Sequence, residues 1–158
     1  MSTRSAIGVM HGNKAKVVYC HHDGYLNFNG VILQEHYDSP KANNLVALGD
    51  MSSLGQNLAP PEGVVHSYRD PLMGVCVFYD RDRGERFGTE FRVCQSDKEL
   101  FDTYTDCDYF YIMKDGVWFV SQGADSEWKL LSDALQEERD ASYKALSITR
   151  LIGMSEEA

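Results

Sequence analysis

Seven consecutive residues, Tyr19-Cys20-His21-His22-Asp23-Gly24-Tyr25, bring a thiol, two imidazoles, a carboxylate and two phenols into one short segment. In an extended chain alternate side chains face opposite ways, so Cys20 and His22 share one side and His21 and Asp23 the other. A sulfur–nitrogen pair could begin a zinc site, and a nitrogen–oxygen pair suits a harder metal. A structural zinc needs four ligands at a recognisable spacing. Only the scattered His11, His36 and His66 could complete such a set, so neither a metal nor a cofactor is expected. Cys20 could also act as a nucleophile with His22 as base, but spacing supplies no third group to orient the pair. No residue is assigned a catalytic role.

A second cluster, Tyr79-Asp80-Arg81-Asp82-Arg83-Gly84-Glu85-Arg86, is the most basic spot of the chain. If extended, it places Asp80 and Asp82 on one side and Arg81 and Arg83 on the other, a two-arginine face able to grip a phosphate or carboxylate. The competing expectation is a charged loop whose arginines pair with its own acids. Together with Arg4, these clusters nominate Arg4, Tyr19, His22, Asp23, Tyr25, Arg81, Arg83 and Glu85 as ligand-binding residues. In Gly49-Asp50-Met51-Ser52-Ser53-Leu54-Gly55, Asp50 or Ser52 is expected to cap a turn rather than react. No GxGxxG, GK[ST] phosphate loop, GxSxG elbow or HExxH occurs.

The elements that position these residues read as α+β. Ser5–Met10 and Ala15–Cys20 form a hairpin around His11-Gly12-Asn13. Val31–Tyr37 reads as a short helix, and Ser39-Pro40 as the N-cap and first residue of the next, ending at Gly49. Asp50 to Pro71 reads as a long loop, of the length that is usually functional or mobile. Gly74–Tyr79 and Thr89–Cys94 are strands. Ser96 and Glu99 form a capping box for a helix bearing Leu100, Phe101 and Tyr104. Tyr109–Met113 and Val117–Gln122 flank an Asp115-Gly116 turn, and their aromatics are expected to pack a core rather than stack bases. Ser126 is expected to cap the longest helix, with Trp128, Leu131 and Leu135 on one face. The expectation is a single domain over residues 1–146 and a flexible tail over 147–158. It comprises a mainly antiparallel sheet of five to six strands packed with three to four helices.

Composition narrows the partners. The chain has 158 residues, with 24 acidic against 15 basic side chains and a net charge of -9. Such a surface repels phosphate backbones, which argues against direct nucleic-acid binding. No run reaches the length of a membrane span, and the N-terminal residues lack the apolar core of a signal peptide. The four cysteines show no CxxC spacing and are expected to be free in a reducing, cytoplasmic compartment.

Four stretches carry a resemblance. They are Met1-Ser2-Thr3-Arg4-Ser5-Ala6-Ile7, Val18-Tyr19-Cys20-His21-His22-Asp23-Gly24-Tyr25, Leu48-Gly49-Asp50-Met51-Ser52-Ser53-Leu54 and Asp82-Arg83-Gly84-Glu85. They resemble a group of small proteins encoded by tailed bacteriophages and prophages, over most of the chain to about Gln122. The group often has tryptophan where His22 stands, which weakens a metal or base role for His22. The resemblance implies expression in a bacterial host cytoplasm and no catalytic residue.

Three functions follow in order. The first is a non-enzymatic accessory protein whose acidic surface neutralises a host component, such as an anti-phage defence protein. The second sequesters a nucleotide or other small phosphorylated ligand in an arginine-lined pocket. The third is a small hydrolase built on Cys20–Asp23 with Asp82 or Glu85. Homo-oligomerisation is compatible with all three.

Overall fold

The centre of the molecule is the hairpin of β1 (Ser5–His11) and β2 (Lys14–Cys20), closed by the two-residue turn Gly12–Asn13. A computed structural model describes the backbone over residues 2–157 and side chains as far as Leu146. On the free side of β1 lies β6 (Tyr109–Lys114), in parallel register from Ser5↔Tyr109 to Val9↔Met113. It returns as β7 (Val117–Ser121), followed by β8 (Lys129–Leu130). Asp115 and Gly116, both at positive φ (52° and 78°), make the tight turn expected of Asp-Gly. The free edge of β2 is shared by β5 (Arg92–Cys94), along Ala15–Val17, and by β3 (Met51–Ser53), at Cys20. β4 (Val77–Phe78) then pairs with β3.

The result is a single α+β domain whose eight-stranded sheet runs β4-β3-β2-β1-β6-β7-β8, with β5 alongside on β2. Five of the seven pairings are antiparallel. Two strands exceed the expected five to six. β3 and β8 have three and two residues, too few for alternation to show in sequence.

The two faces of the sheet are covered unequally. One carries α1 (Val31–His36), α2 (Ser39–Ala47) and the start of α4 (Leu131–Glu157), preceded by a π-helical turn at Leu26–Gly30. Ile7, Val9, Val18, Tyr111, Met113, Trp118 and Val120 meet Leu33, Leu45, Leu131 and Leu135 there. The other face carries only α3 (Asp97–Thr103), whose Leu100 packs with Ala6, Val17, Phe110 and Ile112.

Several local expectations are corrected by backbone hydrogen bonding. Asp38, not Ser39, caps α2 by accepting from the Lys41 amide (3.0 Å), and Ser39 turns to the Met113 sulfur. Ser96 caps α3 as expected, but Glu99 reaches back to the Gln95 amide. Ser126 caps no helix, because α4 begins at Leu131. Trp128 lies before β8 and joins the opposite core from Leu131 and Leu135. Met51–Ser53, expected as loop, lies in the sheet. From Gln136 to Leu146 every α4 side chain is exposed. The expected tail at 147–158 falls outside the described side chains.

Tyr37 links three parts of this framework. Its hydroxyl donates to the Gly55 carbonyl (2.7 Å) beside Cys76, and its own carbonyl accepts from the Trp118 indole (2.9 Å). Tyr37→Phe leaves the buried Gly55 carbonyl with only a long contact to the Cys76 thiol. The substitution is expected to cost about 1–3 kcal/mol, read as a lower urea midpoint at unchanged m-value.

Candidate functional site

Both sequence clusters meet at Asp50, which follows Gly49 at the end of the α2 segment. A Cβ at Gly49 would lie 2.5 Å from the Thr89 carbonyl oxygen, and its φ is +92°, so both space and backbone call for glycine. Asp50 then donates its amide to Thr89 O (2.7 Å) and accepts from the Tyr79 amide (3.1 Å). Its carboxylate accepts from the Tyr19 amide (2.8 Å). It is a junction between three remote segments rather than the cap of a turn. Burial pushes its carboxyl up to about 6, against the partial opposing effect of the Tyr19 amide.

In the first cluster the chain stays extended beyond Cys20, because the His21 and His22 amides donate to Met51 O and Ser52 O. Asp23 then adopts a left-handed φ of 57° and turns the chain, its carbonyl accepting from the Asn29 amide. The histidines do not point apart as expected. Their rings meet edge-on with centroids 4.6 Å apart. His22 Nδ1 lies 2.8 Å from the Ser2 hydroxyl, and His21 Nδ1 lies 2.7 Å from the Tyr19 hydroxyl. Burial lowers the His21 pKa, with further contributions from His22, Arg4 and Arg83. Arg4 itself pairs loosely with Asp106 (3.5 Å), and Tyr25, partly exposed, opens the π-helical turn.

Cys20 is fully buried, and desolvation raises its thiol to about 12. It contacts the His22 carbonyl and the Asn29 amide rather than an imidazole, so it is not an activated nucleophile. Among the described residues no carboxylate is hydrogen-bonded to the Tyr19 hydroxyl or to the His21 ring; the Asp50 carboxylate reaches only the Tyr19 backbone amide. All four cysteines are free and buried. No group of three His, Cys, Asp or Glu side chains among the described residues could hold a metal ion.

The second cluster is not extended. Asp82 and Arg83 amides both return to Phe78 O, and Gly84 to Asp80 O, which coils the segment into a turn. The two-arginine face therefore does not form. Arg81 turns inward, donating to Leu58 O, Cys76 O and both Asp82 oxygens, and lies over the Phe78 ring. Asp82 also accepts from the Phe78 amide (2.8 Å) and faces His66 (3.7 Å). His66 bonds the Cys76 carbonyl through Nε2 and accepts the Leu72 amide at Nδ1. This cluster, in which the His66 and Asp82 side chains are buried and Arg81 is partly exposed, ties the two long connectors together. Arg83 lies between the Tyr68 and Tyr79 rings (5.0 and 4.9 Å) and pairs with Glu85 (2.8 Å). Arg86 pairs with Asp80.

In these connectors Val65 and Met73, next to His66 and Leu72, and Phe87, between Glu85 and Thr89, stand 79%, 96% and 99% exposed. None of the three was nominated from sequence. The only signal was the length of the connector, since single apolar residues in a loop carry no periodicity.

Asp50 has a pH signature. An acid whose folded pKa lies above its unfolded value near 4 stabilises the fold at low pH. That contribution is lost as pH rises from about 4 to about 6. Asp50→Asn keeps an acceptor for the Tyr19 amide and removes the titration. Relative to the parent, the variant is expected to gain urea resistance at pH 7.5 compared with pH 4.

No family model, curated protein or solved structure matches the chain.

Proposed function

We propose that the chain is a phage-encoded accessory protein that acts in the bacterial cytoplasm by binding, without catalysis, a host protein such as a defence factor. The observation that carries this reading is the near-complete exposure of Val65, Met73 and Phe87, the first two beside the His66–Leu72 hydrogen bond and the third between Glu85 and Thr89, which are hydrogen-bonded to each other. Exposed apolar area is unfavourable by about 25 cal/mol per Å², and side chains left in that state suit a surface completed by a partner. Aromatic residues, methionine and arginine are the types enriched at interface centres, and Tyr68, Phe87, Met73 and Arg83 supply them. The acidic excess on α3 and the exposed part of α4 (Asp97, Glu99, Asp102, Glu137, Glu138, Asp140) supports steering toward a basic partner. No helix among the described residues is long and apolar enough to cross a membrane. The phage origin rests on the resemblance of the four stretches quoted above.

Tagged protein is expected to retain a specific host protein from bacterial lysate, with association slowed by salt. Met73→Ser combined with Phe87→Ser is expected to weaken the complex at least about tenfold, since hot-spot truncations commonly remove about 2 kcal/mol or more each. A complex insensitive to both salt and these substitutions, or no complex at all, counts against the reading.

A second reading is favoured by one observation. Arg83 lies over the Tyr68 and Tyr79 rings at 5.0 and 4.9 Å and, like Arg4, contributes to lowering the His21 pKa, so an anion there would meet positive potential on an aromatic surface. A nucleotide or small signalling phosphate held there at 100 times its dissociation constant would add about 2.7 kcal/mol of stability. The expected result is a thermal shift with one nucleotide of a panel, lost in Arg83→Ala. Unchanged melting across the panel excludes this reading.

A further inference from the structure

The thinly covered face of the sheet holds a cavity of about 320 Å³ between α3 and the segment leading into β8. Its floor is Ala15, Ile112 and Phe119, from β2, β6 and β7, and its walls include Leu100 and Trp128. Protein interiors are packed almost without voids larger than a water molecule, and ligand pockets begin at about 300 Å³. The opening persists because its wall is propped. The Trp128 indole donates to Asp97 Oδ2 (3.2 Å), its ring stacks on Phe101 at 6.1 Å and 23°, and Phe101 in turn meets Phe110 edge-on at 4.8 Å. Trp128 is thereby held against collapsing into the space.

The polar groups gather at one end. Asn13 lies in the β1–β2 turn and Lys114 beside the β6–β7 turn. Gln95 follows Cys94, which pairs with Ala15 next to the first turn. Asp97 is engaged by Trp128. Lys114 is the single cation lining the cavity and makes no ion pair among the described residues. Of the other polar lining groups, the Ser96 hydroxyl accepts from the Glu99 amide and the Asp97 carboxylate from Trp128. An apolar interior with one unpaired ammonium and two carboxamides at its mouth thus matches an amphiphile with one negative end.

We infer that this cavity binds a small monocarboxylate. Its ring-sized or short aliphatic body lies between Ile112, Phe119 and Trp128, and its carboxylate meets Lys114. The site is separate from the loop surface proposed above and involves none of its residues.

The test titrates the full-length protein with 3-phenylpropionate and with the neutral analogue 3-phenylpropanol, followed by two-dimensional NMR. Saturable shifts are expected at the Trp128 indole N–H and at the Ala15, Ile112 and Phe119 amides. The carboxylate is expected to bind at least about tenfold more tightly than the alcohol, as a hydrogen bond to a charged group provides. Lys114→Gln is expected to bring the carboxylate down to the alcohol's affinity, and Ala15→Leu to abolish both by filling the floor. Leu100→Phe fills the cavity from the helix side and replaces Ala15→Leu if that variant melts early by circular dichroism. Three results overturn the inference: no saturable shift with either compound, equal affinities in the parent protein, or binding unaffected by Lys114→Gln and by the filling variant.

Discussion

Three hydrogen bonds made by Asp50 hold together everything that bears on function. The residue sits where α2 gives way to β3, with its amide on Thr89, its carbonyl on Tyr79 and its carboxylate on Tyr19. These partners belong to the end of the central hairpin and to the charged turn, segments about sixty residues apart in a chain of 158. The close approach of Thr89 to Gly49 leaves no room for a side chain at that junction. A half-buried carboxylate in such a position is disfavoured by desolvation, and it is tolerated because the one backbone donor it serves, the Tyr19 amide, would otherwise be orphaned.

The connectors from Leu54 to Phe91 obey the same constraint on a larger scale. With only Val77–Phe78 in a strand, their backbone groups cannot be satisfied by a ladder. Side chains substitute: Asp82 serves the Phe78 amide, Arg81 serves two carbonyls, and His66 serves the Leu72 amide and the Cys76 carbonyl. Partly buried ionic groups of this kind add little net stability, but they join the stretches of the segment that lie on either side of its core residues Leu54 and Val75–Phe78. Val65, Met73 and Phe87 are left outside this network and face solvent.

Much of the framework was legible in sequence because its signals are local. The Gly12–Asn13 and Asp115–Gly116 turns, the alternation of β1, β2, β6 and β7, and the Ser96 cap each depend on a few adjacent residues. The failures share the opposite property. Trp128, Leu131 and Leu135 follow helical spacing, yet a strand break between the first two sends Trp128 to the other face of the sheet. Arg81 and Arg83 alternate as a strand would, but the Phe78 carbonyl captures two amides and coils the segment, so one arginine goes to backbone carbonyls and Asp82 and the other to Tyr68, Tyr79 and Glu85. Of the nominated residues, Tyr19 and His22 do meet at His21, one by a hydrogen bond and the other by an edge-on ring contact. Asp23 and Arg81 serve the backbone instead.

The sequence by itself determined the class of fold, the central hairpins and the acidic character of the surface, since these follow from composition and short-range pattern. Only the tertiary structure decided which charges are free, which apolar residues face water and where space is left inside. Lys114 and Arg81 are indistinguishable as isolated cations, but one ends at the mouth of a cavity and the other is consumed by carbonyls and Asp82. Availability depends on what distant segments bring within hydrogen-bonding reach, and no local spacing encodes that distance.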